Sequence, residues 1–281
     1  MTAAPVVLIT GCSTGIGRAL ALAFHARGCR VWATARQAQT LADLVADGLR
    51  TAALDVRDAA AIDTLRTRIE TETEDGGVDI LVNNAGYGQM GPLLDVDAEA
   101  LRAQFDTNVV ALHAVTRAFV PGMIGRRRGL VVQLGSVSGV LTTPFAGAYC
   151  ASKAAVHALA DALRMELAPF GVHVMTVQPG AIRSDFGNSA SRSLDRDAAA
   201  ESVYAAVADG IAARANASQE HAMPAAALAR RIADAALRPQ PPARLRAGGG
   251  ARLLPLLAAV VPQRLRDRLL SRRFGLDRLR H

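Results

Sequence analysis

The sequence predicts an α/β protein with one doubly wound parallel sheet, helices on both faces and a helical C-terminal extension. Three observations carry this prediction. Short apolar runs alternate with helical stretches over about 180 residues, which is the order of a parallel sheet with crossover helices. A glycine-rich turn joins the first apolar run to the first helical stretch. Small and polar residues follow several later runs, and the carboxyl ends of parallel strands share one edge of the sheet.

The predicted elements follow one another without an internal repeat or a linker until about residue 184. Continuous apolar runs are typical of parallel strands that are buried on both faces. The predicted strands are Pro5–Thr10, Arg30–Thr34, Thr51–Asp55, Val78–Val82, Leu130–Leu134 and Gly171–Val177. The predicted helices are Arg18–Arg27, Gln39–Ala46, one that begins at Asp58, Asp97–Pro121 and Tyr149–Ala168. Together they predict a core over about residues 5–185.

The turn Thr10–Gly17 predicts a dinucleotide site. Its glycines let the backbone turn tightly and let a pyrophosphate approach the helix N-terminus, where free N–H groups and the helix dipole favour an anion. At the end of the second strand, Arg36 stands where a carboxylate would select NAD. A guanidinium there can pair with a 2′-phosphate, so NADP(H) is favoured over NAD(H), with Arg18 as a second candidate contact.

Tyr149 and Lys153 are four residues apart and therefore lie one turn apart on one face of a predicted helix. A free phenol loses its proton near pH ~10, and a nearby ammonium lowers that pKa. Lys153 is the only lysine in the chain, which indicates a need for a compact ammonium rather than a planar guanidinium. The pair predicts a proton-transfer site, and the alternative interpretation is a solvated helix face.

The composition narrows the possible functions. Aromatic residues make up only 4% of the chain, which does not suit a nucleic-acid stacking surface, and no nucleic acid is expected. The three cysteines are scattered and form neither a metal spacing nor a disulfide framework, so we expect no metal and a reducing, cytoplasmic location. The first residues lack the pattern of a signal peptide, and no apolar run reaches membrane-spanning length.

The C-terminal third is predicted to belong to the same single domain, which spans residues 1–281. Residues 186–237 are expected to form a substrate lid and a helix at Pro224–Leu237. Residues 238–281 are expected to form a Pro/Gly-rich break at Pro239–Gly250 and a basic amphipathic helix at Gln263–Arg280. Much of the net charge of +7 lies in this tail, so peripheral contact with an anionic membrane is one interpretation. Docking on the protein's own domain or on a partner subunit is the other.

Taken together, these motifs resemble those of the short-chain dehydrogenase/reductase family over about residues 5–190. They are T-G-x-x-x-G-x-G at Thr10–Gly17, D-V at Asp55, N-N-A-G at Asn83–Gly86, Y-x-x-x-K at Tyr149 and P-G at Pro179. The stretches Gly135–Gly139, Pro144–Phe145 and Tyr149–Lys153 are similar to the branch of 17β-hydroxysteroid and retinol dehydrogenases. The resemblance implies a Rossmann-type fold and a homodimer or homotetramer that pairs through helices at about 97–121 and 149–168.

The resemblance also implies roles for individual residues. Tyr149 would exchange a proton with the substrate oxygen, and Ser136 would position that oxygen. Lys153 would lower the pKa of the tyrosine and hold the nicotinamide ribose, while Asn108 would support a water that relays protons to Lys153. The expected cofactor contacts are Gly11, Ser13, Thr14, Gly15, Ile16, Gly17, Arg36, Asp55, Val56, Asn83, Ala85, Gly86, Tyr149, Lys153, Pro179, Gly180, Ile182 and Ser184. The expected substrate contacts are Ser138, Val140, Leu141, Phe145 and Phe186.

These assignments predict an NADP(H)-dependent oxidoreductase that interconverts a ketone or aldehyde and an alcohol. The apolar loop Val140–Phe145 favours a small hydrophobic substrate of steroid, retinoid or long-chain type. One alternative is a β-ketoacyl thioester reductase. Another is a non-catalytic regulatory protein that senses NADP.

Overall fold

A computed structural model describes residues 4–74, 76–183, 202–219 and 222–279. Its strands are β1 Val6–Ile9, β2 Arg30–Ala35, β3 Arg50–Ala53, β4 Ile80–Asn83, β5 Gly129–Leu134, β6 Val172–Pro179, β7 Ile182–Arg183, β8 Met223–Pro224 and β9 Arg244–Ala247. Seven of these strands form one sheet in the order β3-β2-β1-β4-β5-β6-β9, and β7 pairs with β8. All the neighbouring strands of the large sheet are parallel.

Helices connect the strands and cover both faces of the sheet. They are α1 Gly15–His25, α2 Ala42–Ala46, α3 Ala59–Glu72, α4 Ala98–Phe105, α5 Ala111–Gly125, α6 Gly147–Leu167, α7 Ala208–Asn216, α8 Ala225–Ala236, α9 Leu253–Val260 and α10 Gln263–Arg273. A π-helical turn, Asp106–Val110, joins α4 to α5. The single helix predicted over Asp97–Pro121 therefore contains a change in helical pitch.

The hydrophobic core has two layers, one on each side of the sheet. On one face, Leu20 and Phe24 of α1 and Leu228 and Ile232 of α8 are fully buried against the strands. On the other face, α3, α5 and α6 contribute side chains such as Ile69 and Val115. This arrangement confirms the predicted fold class. The sheet is apolar on both sides, as expected of a parallel sheet that helices cover on both faces.

The order of the strands reverses beside β1. From β1 the chain winds outward to β2 and β3, and it then crosses back to start β4 on the other side of β1. The connections after neighbouring strands therefore leave in opposite directions, and a crevice opens at the carboxyl ends of β1 and β4. This crevice is the expected place for a ligand.

The seventh strand, β9, was not predicted. It lies within Pro239–Gly250, which the sequence marked as a break, and it pairs with β6 from Thr176 to Pro179. Arg244 forms an ion pair with Asp161 of α6 at 3.2 Å, and Arg246 donates a hydrogen bond to Gln178 at 2.7 Å. Backbone pairing and these two side chains hold the strand at the edge of the sheet. Part of the predicted C-terminal extension is therefore part of the sheet.

The C-terminal helices leave apolar side chains exposed. Leu253, Leu256 and Val260 of α9 are more than half exposed, as is Leu269 of α10. Phe274, in contrast, is buried in a cluster with Phe145, Val207 and Ile211, and it anchors this end of the chain. The basic helix predicted over Gln263–Arg280 ends at Arg273. Among the helices of the described ranges, none is long and apolar enough to cross a membrane.

Candidate active site

A cleft of about 1080 Å³ lies over the carboxyl ends of the central strands. Its wall comes from the turns after β1, β2, β3, β4, β5 and β6, from the start of α6 and from the C-terminal part of the chain. The predicted site residues that line it are Gly11, Ser13, Thr14, Gly15, Ile16, Gly17, Arg36, Asp55, Val56, Ala85, Gly86, Ser136, Ser138, Leu141, Tyr149, Lys153, Pro179, Gly180 and Ile182. Residues spread over most of the sequence thus meet in one place.

The glycine turn after β1 has the shape that a pyrophosphate requires. Gly11 and Gly15 have φ angles of +74° and +59°, which favour glycine. A Cβ on Gly17 would lie 2.2 Å from the carbonyl oxygen of Gly11, so no side chain fits there. Thr14 precedes α1 without capping it through its side chain, and the first residues of the helix line the cleft. This cradle fits the pyrophosphate of a nicotinamide dinucleotide.

Of the two adjacent asparagines at the end of β4, Asn84 lines the cleft and Asn83, which was the predicted cofactor contact, does not. The side chain of Asn83 is buried behind the cleft wall, where it donates to Thr116 at 2.8 Å and to Gln133 at 3.2 Å. Asn83 therefore braces β4 against its neighbours and does not line the cleft. Asn84 lines it instead and donates to the carbonyl oxygens of Thr10 and Gly11 at 2.8 and 2.9 Å, which fixes the glycine turn.

Arg36 and Asp55 stand at the end of the cleft formed by β2 and β3. Asp55 forms an ion pair with Arg57 at 2.7 Å. The hydrogen bonds from Arg57 lower the pKa of Asp55 to about 2, with a smaller contribution from the charge of Arg36. Arg36 is exposed and lines the cleft, so its guanidinium can receive an anion. Arg18, the second candidate contact for a 2′-phosphate, pairs with Asp43 and does not line the cleft.

Ser136 and Tyr149 meet in the middle of the cleft. Ser136 follows β5, and its hydroxyl is hydrogen-bonded to the phenol of Tyr149 at the start of α6. The Ser136 hydroxyl also accepts the backbone N–H of Ser138 at 3.1 Å, which orients it. Only 8% of each residue is exposed, so the pair lies in a largely desolvated spot that still lines the cleft.

Lys153 lies one turn along α6, with its ammonium 5.9 Å from the centre of the Tyr149 ring. It donates to the carbonyl oxygen of Leu134 at 2.7 Å. Burial lowers the pKa of Lys153 to about 8. Burial also raises the pKa of Tyr149 to about 12, although the Ser136 hydrogen bond and the charge of Arg214 oppose this rise. Desolvation therefore outweighs the favourable neighbours of the phenol, and the contribution of Lys153 to the pKa of Tyr149 stays a prediction.

Asn108 lies in the π-helical turn and is fully buried. Its side chain accepts the N–H of Tyr87 at 3.1 Å and donates to the Tyr87 carbonyl at 2.9 Å and to Ser152 at 3.1 Å. Its oxygen would lie 2.9 Å from a Cβ on Gly86. Asn108 thus joins the π-turn to α6 and to the strand end after β4. Asn108 itself does not line the cleft. Single π-helical turns within α-helices are frequent at functional sites.

His157 was missed by the sequence analysis. It is one turn beyond Lys153 on α6, and its Nε2 accepts the backbone N–H of Ser136 at 3.3 Å. Cβ atoms on Gly135 and Gly139 would lie 2.3 and 2.7 Å from its ring, so these glycines make room for it. Burial, followed by the charge of Lys153, lowers the pKa of His157 to about 4. A neutral imidazole therefore supports the loop that carries Ser136.

The predicted substrate contacts are only partly placed on the cleft. Ser138 and Leu141 line it, whereas Val140 and Phe145 do not. Phe145 is 5% exposed and makes an edge-on contact with Tyr204, so its role is to anchor the C-terminal cluster. Ser184 and Phe186 lie outside the described residues. The C-terminal half supplies further wall residues that were not predicted, namely Arg214, Ala215, Leu254, Leu270, Arg273 and Phe274.

Comparison with known proteins agrees with this geometry. Residues 5–195 match the model of the short chain dehydrogenase family. The chain belongs to the short-chain dehydrogenase family.

The chain spans about three fifths of the length of the first two relatives described here and nearly the full length of the third. It is 40% identical over 185 residues to the NADPH-dependent 1-acyldihydroxyacetone phosphate reductase of Schizosaccharomyces pombe, covering 66% of this chain and 62% of that protein. It is 38% identical over 193 residues to human 17-beta-hydroxysteroid dehydrogenase type 1, covering 64% of this chain and 58% of that protein, which supports the predicted branch. The match to the short-chain dehydrogenase/reductase GME11361 of Pestalotiopsis microspora is 32% identical and covers 99% and 96%.

Solved structures extend the likeness to the C-terminal part. A short-chain dehydrogenase from Streptomyces avermitilis superposes with a TM-score of 0.79 at 34% identity, covering 96% of this chain and 98% of that chain. A serine dehydrogenase in complex with NADP+ superposes with a TM-score of 0.73 at 28% identity, covering 87% and 94%.

Proposed function

We propose that this protein is an NADP(H)-dependent reductase that converts a ketone or aldehyde to an alcohol. The observation that carries the proposal is the hydrogen-bonded pair of Ser136 and Tyr149, with Lys153 one turn away, in the same cleft as the glycine cradle. The nicotinamide supplies the hydride when it is bound, and the protein supplies position and proton.

The raised pKa of Tyr149 supports its role as the proton donor to a carbonyl oxygen. At about 12, this pKa keeps the phenol protonated at neutral pH, which is the form that donates to a carbonyl oxygen. Ser136 donates a second hydrogen bond to the same oxygen and fixes its distance from the phenol. Once the proton has left, Ser136 and the charges of Lys153 and Arg214 stabilise the phenolate. Lys153 also holds the nicotinamide ribose, and Asn108 holds the Tyr87 loop and α6 around it.

Preference for NADP(H) over NAD(H) rests on Arg36. Arg57 is engaged by Asp55, and Arg18 by Asp43, which leaves Arg36 as the arginine at this end of the cleft with no ion pair among the described residues. A planar guanidinium binds a 2′-phosphate through two parallel hydrogen bonds. The NADPH dependence in the name of the fission-yeast relative and the NADP+ in the serine dehydrogenase complex support this choice.

The cleft beyond Tyr149 supports a substrate with a substantial apolar part. Met90, Leu141, Leu254, Leu270 and Phe274 line it. The names of two relatives refer to a steroid and to an acylated dihydroxyacetone phosphate, and both have apolar portions. A steroid-, retinoid- or long-chain-like carbonyl compound is therefore the substrate class that we propose.

The test is oxidation of NADPH with a panel of steroids, retinal, long-chain ketones and acetoacetyl thioesters. We expect turnover of at least one hydrophobic carbonyl compound, and we expect Tyr149→Phe to abolish it while cofactor binding persists. Tyr204→Phe is the matched control, because Tyr204 packs against Phe145 and is not part of the cleft wall. Comparable activity in Tyr149→Phe would refute the assigned acid. NADPH binding without turnover on any compound would favour a sensor, and turnover of thioesters alone would favour a β-ketoacyl thioester reductase.

Two surfaces support proposals about assembly and location. Val110, Leu159 and Met165 expose apolar side chains along the α4–α5 and α6 helices, which we propose pair the chain into a dimer or tetramer. The exposed leucines of α9 and α10 stand among arginines, and we propose that they touch an anionic membrane peripherally. Light scattering tests the first proposal, and co-sedimentation with anionic against neutral vesicles tests the second. Cys12, Cys29 and Cys150 are free thiols, in keeping with the predicted cytoplasmic location.

A further inference from the structure

Arg214 is a buried cation that faces the cleft. It lies on α7, lines the cleft and is only 7% exposed. Its Nε donates to the hydroxyl of Thr143, which also lines the cleft. Within the described ranges, no carboxylate pairs with it. Burying a guanidinium without an anion is costly, so a protein retains such a group where a ligand supplies the missing charge.

Arg214 stands beside the reacting group. The adjacent residue, Ala215, packs with Tyr149 and Met90 in one buried cluster. After burial and the Ser136 hydrogen bond, the charge of Arg214 is among the influences on the pKa of Tyr149, and it lowers that pKa. An anion bound by Arg214 would therefore lie close to the carbonyl that accepts the proton.

The surroundings decide which anion fits. The guanidinium presents a planar set of donors, and Nε is already used by Thr143. The remaining donors suit an oxyanion, because carboxylate and phosphate oxygens match their spacing. Towards the C-terminal helices the wall is apolar, with Leu270 and Phe274 as its largest side chains. An acidic group next to the carbonyl, followed by an apolar chain, would fill both parts.

We propose that Arg214 binds an oxyanion of the substrate, a carboxylate or a phosphate, within a few bonds of the carbonyl that Tyr149 protonates. The substrate class is then an amphiphilic keto acid or keto phosphate rather than a neutral hydrophobic ketone. This inference rests on the proposed reductase function and narrows its substrate.

The kinetic test compares matched pairs of substrates at saturating NADPH. One pair is a medium-chain 2-oxo acid and its methyl ester, and the other is a long-chain hydroxymethyl ketone and its phosphate ester. We expect the wild-type protein to prefer an anionic member, and Arg214→Gln to lower kcat/KM for that member by about 10- to 100-fold, as loss of a charge-assisted hydrogen bond implies. The neutral member should lose far less, because it loses only the influence of Arg214 on Tyr149, which both members share. Arg214→Lys keeps the charge without the planar donors and should fall between them.

A control variant separates local binding from net charge. Arg238→Gln removes one positive charge at an exposed position beyond α8, and it should leave the ratio between the paired substrates unchanged. The preferred pair tells a carboxylate from a phosphate. Equal use of anionic and neutral members by the wild-type protein would overturn the inference. So would an equal loss on both members in Arg214→Gln with a shifted pH profile, since that result assigns Arg214 to tuning Tyr149.

A binding measurement keeps the inference testable if no carbonyl compound is turned over. Calorimetry of the NADP-loaded protein with decanoate, decyl phosphate and decanol needs no reaction. We expect one of the two anions to bind more tightly than decanol, and Arg214→Gln to remove that advantage. Equal affinities of all three would overturn the inference. Absence of turnover alone would overturn only the proposed reductase function.

Discussion

Replacement of Lys153 by methionine should make the protein more stable at neutral pH while it abolishes turnover. The lysine is 7% exposed, and burial lowers its pKa from 10.5 to about 8. Each pKa step of one corresponds to ~1.4 kcal/mol, so the charged form destabilises the fold by about 3 kcal/mol at pH 7. Methionine cannot donate to the Leu134 carbonyl, and losing that hydrogen bond costs about 1 kcal/mol.

The net gain of about 2 kcal/mol should raise the midpoint of thermal unfolding by about 3 °C. The gain should also depend on pH. Between pH 8 and 10.5 the unfolded chain holds the lysine proton and the folded chain releases it, so the wild-type protein becomes more stable as pH rises. The variant cannot gain in this way, and its advantage should disappear near pH 10.

Urea unfolding of both proteins at pH 7 and pH 10, each followed by circular dichroism, measures the two differences directly. Lys153 also lowers the pKa of His157, but that histidine is neutral in the folded protein at both pH 7 and pH 10, so it cancels in the comparison. A variant that is less stable than the wild type at both pH values would refute the reasoning, and so would a difference that does not change with pH.

Three further substitutions test other parts of the site. His157→Gln should make the fold less sensitive to acid. Between pH 6.5 and about 4 the unfolded chain binds the histidine proton and the folded wild-type protein does not, so the wild type loses stability as pH falls through this range. Urea midpoints of both proteins at pH 7 and pH 5 measure this loss. Gly17→Ala should weaken NADPH binding at least tenfold in a fluorescence titration, because its Cβ would lie 2.2 Å from the Gly11 oxygen, whereas Gly125→Ala has open space and should bind normally. Arg36→Ala should weaken the binding of NADPH about tenfold more than the binding of NADH, since a charge-assisted contact is lost. Arg18→Ala should leave that ratio unchanged, because Arg18 is already paired with Asp43.

The sequence predicted the central sheet well because its signals are local. A continuous apolar run such as Val6–Ile9 has few alternatives to a buried strand, and β1 is observed at these residues. The strand β9 was not predicted because it is short, follows three prolines within residues 239–242 and contains two arginines. Its pairing with β6 depends on tertiary contacts, with Asp161 and Gln178, that no window of sequence contains.

The candidate site was predictable where spacing fixes geometry. Tyr149 and Lys153 meet because a helix brings residues four apart together, and the glycine turn is recognisable from its order between strand and helix. Arg214 carries no such signal, since it is a single residue on an amphipathic helix. His157 does lie one turn beyond Lys153, but a four-residue spacing alone does not distinguish a site residue from an ordinary buried one. The exchange of roles between Asn83 and Asn84 was also hidden, because alternate residues at the end of a strand point to opposite sides of the sheet.

The solitary ε-amine of the chain lies at the floor of the cleft. With a pKa of about 8, this amine is uncharged far more often at neutral pH than an ordinary surface lysine, and only the uncharged form attacks an acylating reagent. Amine-directed labels therefore encounter one side chain, and any molecule that fills the cleft shields it. Covalent modification of Lys153, followed by mass spectrometry, becomes a direct count of how many molecules in a sample are occupied.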